Sequence, residues 1–139
     1  MGNQQVRYIC LLNMKGDNMR TKWTEEKIIN YLNNNKIIYE RQKVYPSLKG
    51  EGGCNLSYDF YLPDYNCCIE YQGVQHYEPV KYFGGKEKFE IQRKHDLKKK
   101  NYCTENKIKL ITIPYWEFDN IDKILNKQMY KLQRLTESE

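Results

Sequence analysis

The chain has 139 residues, 23 Lys and Arg against 18 Asp and Glu, and a formal net charge of +5. That length supports one modest core rather than two, so a single domain over 21–139 with an N-terminal extension over 1–20 is expected. No apolar run approaches the roughly 20 residues of a membrane span and no signal peptide is expected, which points to a cytoplasmic protein without a membrane partner. Five cysteines, odd in number and without a CxxC pair, suit reduced thiols and argue against a zinc site. Thirteen tyrosines and a lysine surplus suit a polyanion partner, although charge speaks to association and not to fold.

Residues 1–20 show no clear periodicity and read as a mobile arm or an extra edge strand. The first helix is expected over Thr24–Asn35, with Thr24 as N-cap and Glu25 and Glu26 favoured by the helix dipole. Ile28, Ile29 and Leu32 make its apolar stripe. Glu25 lies three, four and seven positions before them and so shares the buried face, whereas Glu26 falls with Asn30 and Asn33 on the wet one. Lys36–Tyr45 reads as the first strand and carries a rival acid, Glu40. The loop holding Gly50, Gly52 and Gly53 lacks the helix context of a phosphate-binding loop and reads as a flexible connector.

Residues 56–77, LSYDFYLPDYNCCIEYQGVQHY, carry the chemistry. Two strand-like runs, Leu56–Leu62 and Cys67–Gln72, flank the turn formers of Pro63-Asp64-Tyr65-Asn66. A hairpin folded there sets Leu62 against Cys67, Tyr61 against Cys68 and Asp59 against Glu70. Like charges so opposed, with Cβ atoms about 4.5–5.5 Å apart, are destabilising. A divalent cation between them removes the objection; one carboxylate turned to water or paired with a lysine is the plainer alternative. Gln72 and His76 continue the parity of Glu70, while Phe60, Leu62, Ile69 and Tyr71 hold the other parity and can pack on a core. Asp64 falls at the hairpin tip, outside the chemistry.

Pro79–Lys86 reads as a loop with Tyr82, Phe83 and Gly84-Gly85. A second helix is expected from about Glu87 to Glu105, with Phe89, Arg93, Asp96, Lys100 and Cys103 on one side. Lys94, Lys98 and Lys99 spread positive charge around the rest, as a nucleic-acid contact or as an ordinary solvated face. His95 is expected at the surface. Ile108–Pro114 is apolar enough for a strand buried on both faces. Ile121, Ile124, Leu125, Met129, Leu132 and Leu135 mark a C-terminal helix capped by Asp119 or Asn120, whose stripe serves the core or a homodimer.

The runs DFYLPDYNCCIEYQGVQHY, RKHDLKKKNYC and IKLITIPY resemble the PD-(D/E)XK, or restriction-endonuclease-like, nuclease superfamily. Within it they are most similar to the branch of very short patch repair and phage intron homing endonucleases, with its Glu–Asp–x–His–Asp pattern. The resemblance covers about residues 24–116. It implies an α/β fold with an αβββαβ core, a mixed central sheet flanked by helices, followed here by the C-terminal helix. It also implies a metal-dependent endonuclease that hydrolyses DNA phosphodiester bonds, one strand per active site, as monomer or homodimer in the cytoplasm, the host's if the chain is phage-encoded.

Carried onto this chain, the pattern selects Glu25, Asp59, Glu70, His76 and Asp96 as catalytic residues. Asp59 and Glu70, with the carbonyl of Tyr71, are the expected ligands of Mg²⁺, for which Mn²⁺ can substitute; such an ion takes one or two carboxylates plus water and phosphate. Glu25 binds that ion through water or orients the nucleophile. The lysine of the superfamily pattern is Gln72 here, which can orient water but cannot act as a base. His76 is then the expected proton-transfer group, with Asp96 orienting it or binding a second ion. Arg93, Lys94, Lys98 and Lys99 are the expected contacts to nucleic acid. Two rival functions remain on the sequence: a nuclease-fold DNA-binding module without catalysis, for which Gln72 speaks, and a nuclease acting on RNA.

Overall fold

The structure is a computed structural model that describes residues 18–80 and 84–137, with side chains from residue 22 onward. The N-terminal arm up to residue 17, and Tyr82 and Phe83 of the expected loop, lie outside the described residues. The elements are α1 (Asn18–Asn34), β1 (Glu40–Lys49), β2 (Asn55–Leu62), β3 (Cys67–Gln72), α2 (Gly85–Glu105), β4 (Lys109–Pro114) and α3 (Ile121–Glu137). Their order matches the expected helix, three strands, helix, strand, helix.

The four strands form one sheet in the order β1-β2-β3-β4. β1, β2 and β3 run antiparallel to their neighbours, and β3 pairs in parallel with β4, so the sheet is mixed and the class is α/β. α2 is the crossover that a parallel pair requires. Among the described residues no helix is long and apolar enough to cross a membrane.

The hairpin forms as its turn chemistry predicts. Phe60 pairs with Ile69, Tyr61 with Cys68 and Leu62 with Cys67. Pro63 opens a short 3₁₀ turn over Pro63–Tyr65, closed by Asn66 in the left-handed region at φ 47°, and Asp64 stays at this tip. On one side of the sheet Phe60, Leu62 and Ile69 pack with Ile28 and Leu32 of α1 and Ile121, Leu125, Met129 and Leu132 of α3. The C-terminal stripe thus fills the protein's own core, and only its last member, Leu135, is exposed. On the other side α2 closes a smaller cluster of Leu48, Leu56, Tyr58, Cys68, Cys103 and Ile108.

Two boundaries and the burial of β4 differ from the sequence reading. α1 begins at Asn18, so Thr24 is no cap but a fully buried mid-helix residue. Helix-compatible residues precede it, and Thr24, Ile28, Tyr31 and Leu32 together form the buried stripe. β1 starts at Glu40 rather than Lys36, because Lys36 sits in the left-handed region at φ 55°. There Ile37 N–H bonds the Leu32 carbonyl and Lys36 N–H bonds that of Asn33, a Schellman closure. Lys107 at φ 57° repeats the closure after α2, with Ile108 N–H on the Cys103 carbonyl. Lysine occupies both turns where glycine is the usual signal, so the sequence conceals them. Finally, β4 is an edge strand buried at Ile111 and Ile113 but open at Lys109 and Thr112, not buried on both faces.

Candidate active site

One register step beyond Phe60–Ile69, side chains replace the backbone ladder. The Asp59 N–H donates to Glu70 Oε1 at 2.9 Å, and the Tyr71 N–H donates to Asp59 Oδ2 at 2.8 Å. Each acid therefore accepts an amide beside the other, which locks both carboxylates between β2 and β3. The strand alternation breaks at the same place. Leu56 and Tyr58 belong to the cluster under α2, whereas Phe60 and Leu62, of the same parity, belong to the opposite one. Gln42 of β1, whose neighbours Arg41 and Lys43 pair with Phe60 and Tyr58, takes φ 51° at this point.

The expected like-charge pair is thus present, and the cation beside it comes from the chain itself. Lys99 Nζ of α2 lies 2.5 Å from Glu70 Oε2, with 12% of its side chain exposed. Lys99 was expected on the open face of its helix, to touch nucleic acid. Instead its ammonium enters the acid cluster, because buried Glu70 beside part-buried Asp59 needs a counter-charge. Its main-chain carbonyl accepts the Tyr58 hydroxyl at 2.8 Å, which fixes that helical turn over the sheet. Burial works against the ammonium, yet Glu70 and Asp59 outweigh it and raise the Lys99 pKa. For Asp59, burial first and the Glu70 charge second push the carboxyl up to about 8, against the lowering by Lys99 and the Tyr71 amide.

These groups line a cavity of about 150 Å³ together with Glu25, Gln42, Gly73, Gln75, His76, Gln92 and His95. Glu25 stands at its edge in an ion pair with Arg41 at 2.7 Å. Glu40, the rival acid, is exposed and pairs with Lys43. His76 lies on the 3₁₀ turn Val74–His76 just after β3, and its Nδ1 meets Asp96 Oδ2 at 2.8 Å. Gln92 Nε2 donates to the other Asp96 oxygen at 2.9 Å. With a proton on Nδ1 directed to Asp96, Nε2 is the basic nitrogen of the neutral ring.

Gln72 takes no part in this cavity. Its Oε1 accepts the Tyr77 hydroxyl at 2.7 Å, and its side chain lines a neighbouring groove. Tyr71 reaches the acids through its N–H. Arg93 and Lys94 are exposed and line the same neighbouring groove, while Lys98 donates to the Lys49 carbonyl at 3.3 Å.

His95 is buried, not at the surface. Its Nε2 accepts the Glu51 N–H at 3.0 Å and so pins the Gly50–Gly53 loop, which is no free connector. Burial lowers its pKa, favouring the neutral ring that this acceptor role needs. The inward face of α2 is Gln92, His95, Lys99 and Cys103, spaced three, four and four. The helical period is regular, but the residues are polar, so hydropathy points elsewhere. The spacing of polar residues able to ligate or bond was the only available signal.

The comparisons with known proteins add viral relatives without a described function. The chain is 36% identical over 77 residues, 55% of its length, to "Uncharacterized protein 307L" of Invertebrate iridescent virus 6. It is 42% identical over 65 residues, 45% of its length, to "Uncharacterized protein 094L" of Frog virus 3 (isolate Goorha). The matches span only 39% and 42% of those two proteins, so this chain resembles a part of each. No family model matches the chain. No solved structure matches it.

Proposed function

We propose that this protein is a metal-dependent endonuclease that hydrolyses phosphodiester bonds of DNA, one strand per active site. The observation that carries the reading is the placement of Lys99 beside Asp59 and Glu70. The sequence lacks the lysine two positions after its second acid, where it has Gln72. Lys99 Nζ at 2.5 Å from Glu70 restores an ammonium to the acid pair from a different element. The acids, the lysine and His76 line one small cavity, and Asp96 bonds His76 at its margin. The element order, shared with the core that the sequence resemblance implied, supports the same reading.

The donor set fits Mg²⁺, or Mn²⁺ in its place. Among the described residues no three Asp, Glu, His or Cys side chains are gathered as a ready cage. Two carboxylates suffice for an ion that keeps water and takes substrate phosphate as its other ligands. Burial first, and then the Glu70 charge, raises the Asp59 pKa, and a cation bound there would oppose the second of these. Bound between Asp59 and Glu70, such an ion would polarise the phosphoryl group and help ionise a water.

The chain's own residues do the remainder. Lys99 holds Glu70 in place, and its ammonium stands ready to move from that carboxylate to the anionic phosphate or the attacking water. Asp96 orients His76, whose Nε2 can accept a proton or donate one at the scissile phosphate. Arg41 screens Glu25, leaving it to orient water at the cavity edge.

Incubation with supercoiled plasmid and with structured RNA, each in Mg²⁺, Mn²⁺ or EDTA, tests the reading. Nicked circles should form before linear product in Mg²⁺, and none in EDTA. Asp59→Asn, Glu70→Gln and Lys99→Met should each abolish nicking. Undiminished nicking by Asp59→Asn or Glu70→Gln would remove the proposed centre, and cleavage confined to RNA would reassign the substrate.

A further inference from the structure

A second depression adjoins the acid cavity and is larger, about 890 Å³. His76 borders both, so the two adjoin at that side chain. Four cations line it: Arg93, Lys94 and Lys100 from the outer turns of α2, and Lys109 from the open edge of β4. All four are exposed, and none belongs to an ion pair among the described residues. Against them stand Glu90 and Asp96, the latter already engaged by His76 and Gln92. Positive charge on two elements that face one groove suits a polyanion better than a single small anion.

The groove's end near His76 has a second character. Tyr77 lines it and packs against Trp116, with ring centroids 4.7 Å apart, while Tyr115 supports Trp116 at 5.3 Å. These rings are open: Trp116 is 58% exposed and Tyr77 39%. The hydroxyl of Tyr77 is anchored on Gln72, so the ring cannot swing away without losing that bond. A large aromatic surface left in water, next to a cationic track, is the combination that holds single strands by base stacking and phosphate attraction. A paired duplex conceals its base faces within its own stack, so such a platform gains from a base only when that base is unstacked.

We propose that this groove binds unpaired nucleotides of a polynucleotide strand. Arg93, Lys94, Lys100 and Lys109 take the phosphates, and the Tyr77–Trp116 platform takes one base. This deepens the nuclease reading, since it makes the substrate a strand with unpaired residues beside the scissile bond. The binding itself stands apart from catalysis and is tested without metal.

The experiment uses the full chain in EDTA with fluorescein-labelled oligothymidylate, oligouridylate and a blunt hairpin duplex, read by anisotropy. Tryptophan emission is followed in a Trp23→Phe background, where Trp116 is the single tryptophan of the two in the sequence. We expect both single strands to bind more tightly than the duplex and to quench Trp116. Trp116→Ala should weaken single-strand binding by roughly 5- to 150-fold, the range measured for loss of one stacked base, and Trp116→Phe should retain most of it. Lys100→Ala with Lys109→Ala should flatten the dependence of affinity on salt. The ratio of oligothymidylate to oligouridylate affinity then identifies the preferred strand chemistry.

Duplex binding as tight as single-strand binding, with no quenching of Trp116, overturns the proposal. So does an unchanged affinity in Trp116→Ala. Strand binding that follows these expectations in a protein that cleaves nothing would retain the groove and reject the nuclease.

Discussion

Replacing Asp59 should make the metal-free protein more stable while ending the proposed cleavage. In the folded chain this carboxyl has a pKa of about 8 against an ordinary value of 3.8, raised by burial and then by Glu70. The native state therefore holds the proton more tightly than the unfolded state does. Stability is complete below about pH 4 and declines as pH rises toward 8. At about 1.4 kcal/mol for each tenfold change, the step from 3.8 to about 8 sets an upper limit of about 6 kcal/mol. Access of water to the cavity, where Asp59 is only part-buried, lowers this, and we expect about 2 kcal/mol from Asp59→Asn. The asparagine oxygen still accepts the Tyr71 N–H, so the strand junction survives. Thermal melts in EDTA at pH 8 should place the variant roughly 5–10 °C above the parent, with the gap closing near pH 4.5. Mg²⁺ should raise the parent's melting temperature and leave the variant's where it was. A variant that melts below the parent at pH 8 in EDTA would refute the electrostatic account of this site.

Three further outcomes follow from the geometry. His76→Ala should slow cleavage by roughly 10²–10⁴-fold with binding retained, whereas Lys94→Ala leaves the rate per bound complex unchanged; single-turnover kinetics separate the two. Gly50→Ala should destabilise the fold by about 1–3 kcal/mol in urea, because its Cβ would stand 2.6 Å from His95 Nε2 and 2.8 Å from Leu56 Cδ2. His95, with a pKa lowered by burial, contributes stability present above its unfolded value of 6.5 and lost as pH falls below it; His95→Gln should therefore flatten the acid limb of the stability curve.

The hairpin was legible because its turn residues and its period-two pattern agree, and the Asp59–Glu70 opposition follows from counting across the turn. Glu25 and His76 were singled out by helical spacing and strand parity, but their roles, and Asp96 altogether, came only through the resemblance. Lys99 was misplaced for a physical reason. It sits in a run of lysines, and periodicity arguments weigh apolar residues, whereas the buried stripe of α2 is Gln92, His95, Lys99 and Cys103. The early start of α1 was missed because Thr24 followed by two glutamates imitates a cap, and burial of Thr24 with Ile28 outweighs that local signal. The break in alternation at Tyr58 and Asp59 has no signature in the sequence, as each strand alone continues its pattern through it.

The position of Lys99 on the crossover between parallel strands bears on when the acid pair gains its counter-charge during synthesis. The two acids belong to a local hairpin that forms from residues close in sequence. Their ammonium partner and the aspartate that bonds His76 ride on α2, the connection from β3 to its parallel neighbour β4. A nascent chain that has exposed the hairpin but not β4 holds two carboxylates together with no cation between them, and so favours a protonated or frayed hairpin. Closure of the crossover is the step that brings the ammonium to the acid pair. Ribosome-bound fragments ending before Pro114 should then be inert, and full-length chains should refold faster in mild acid or with a divalent ion than in EDTA at pH 8.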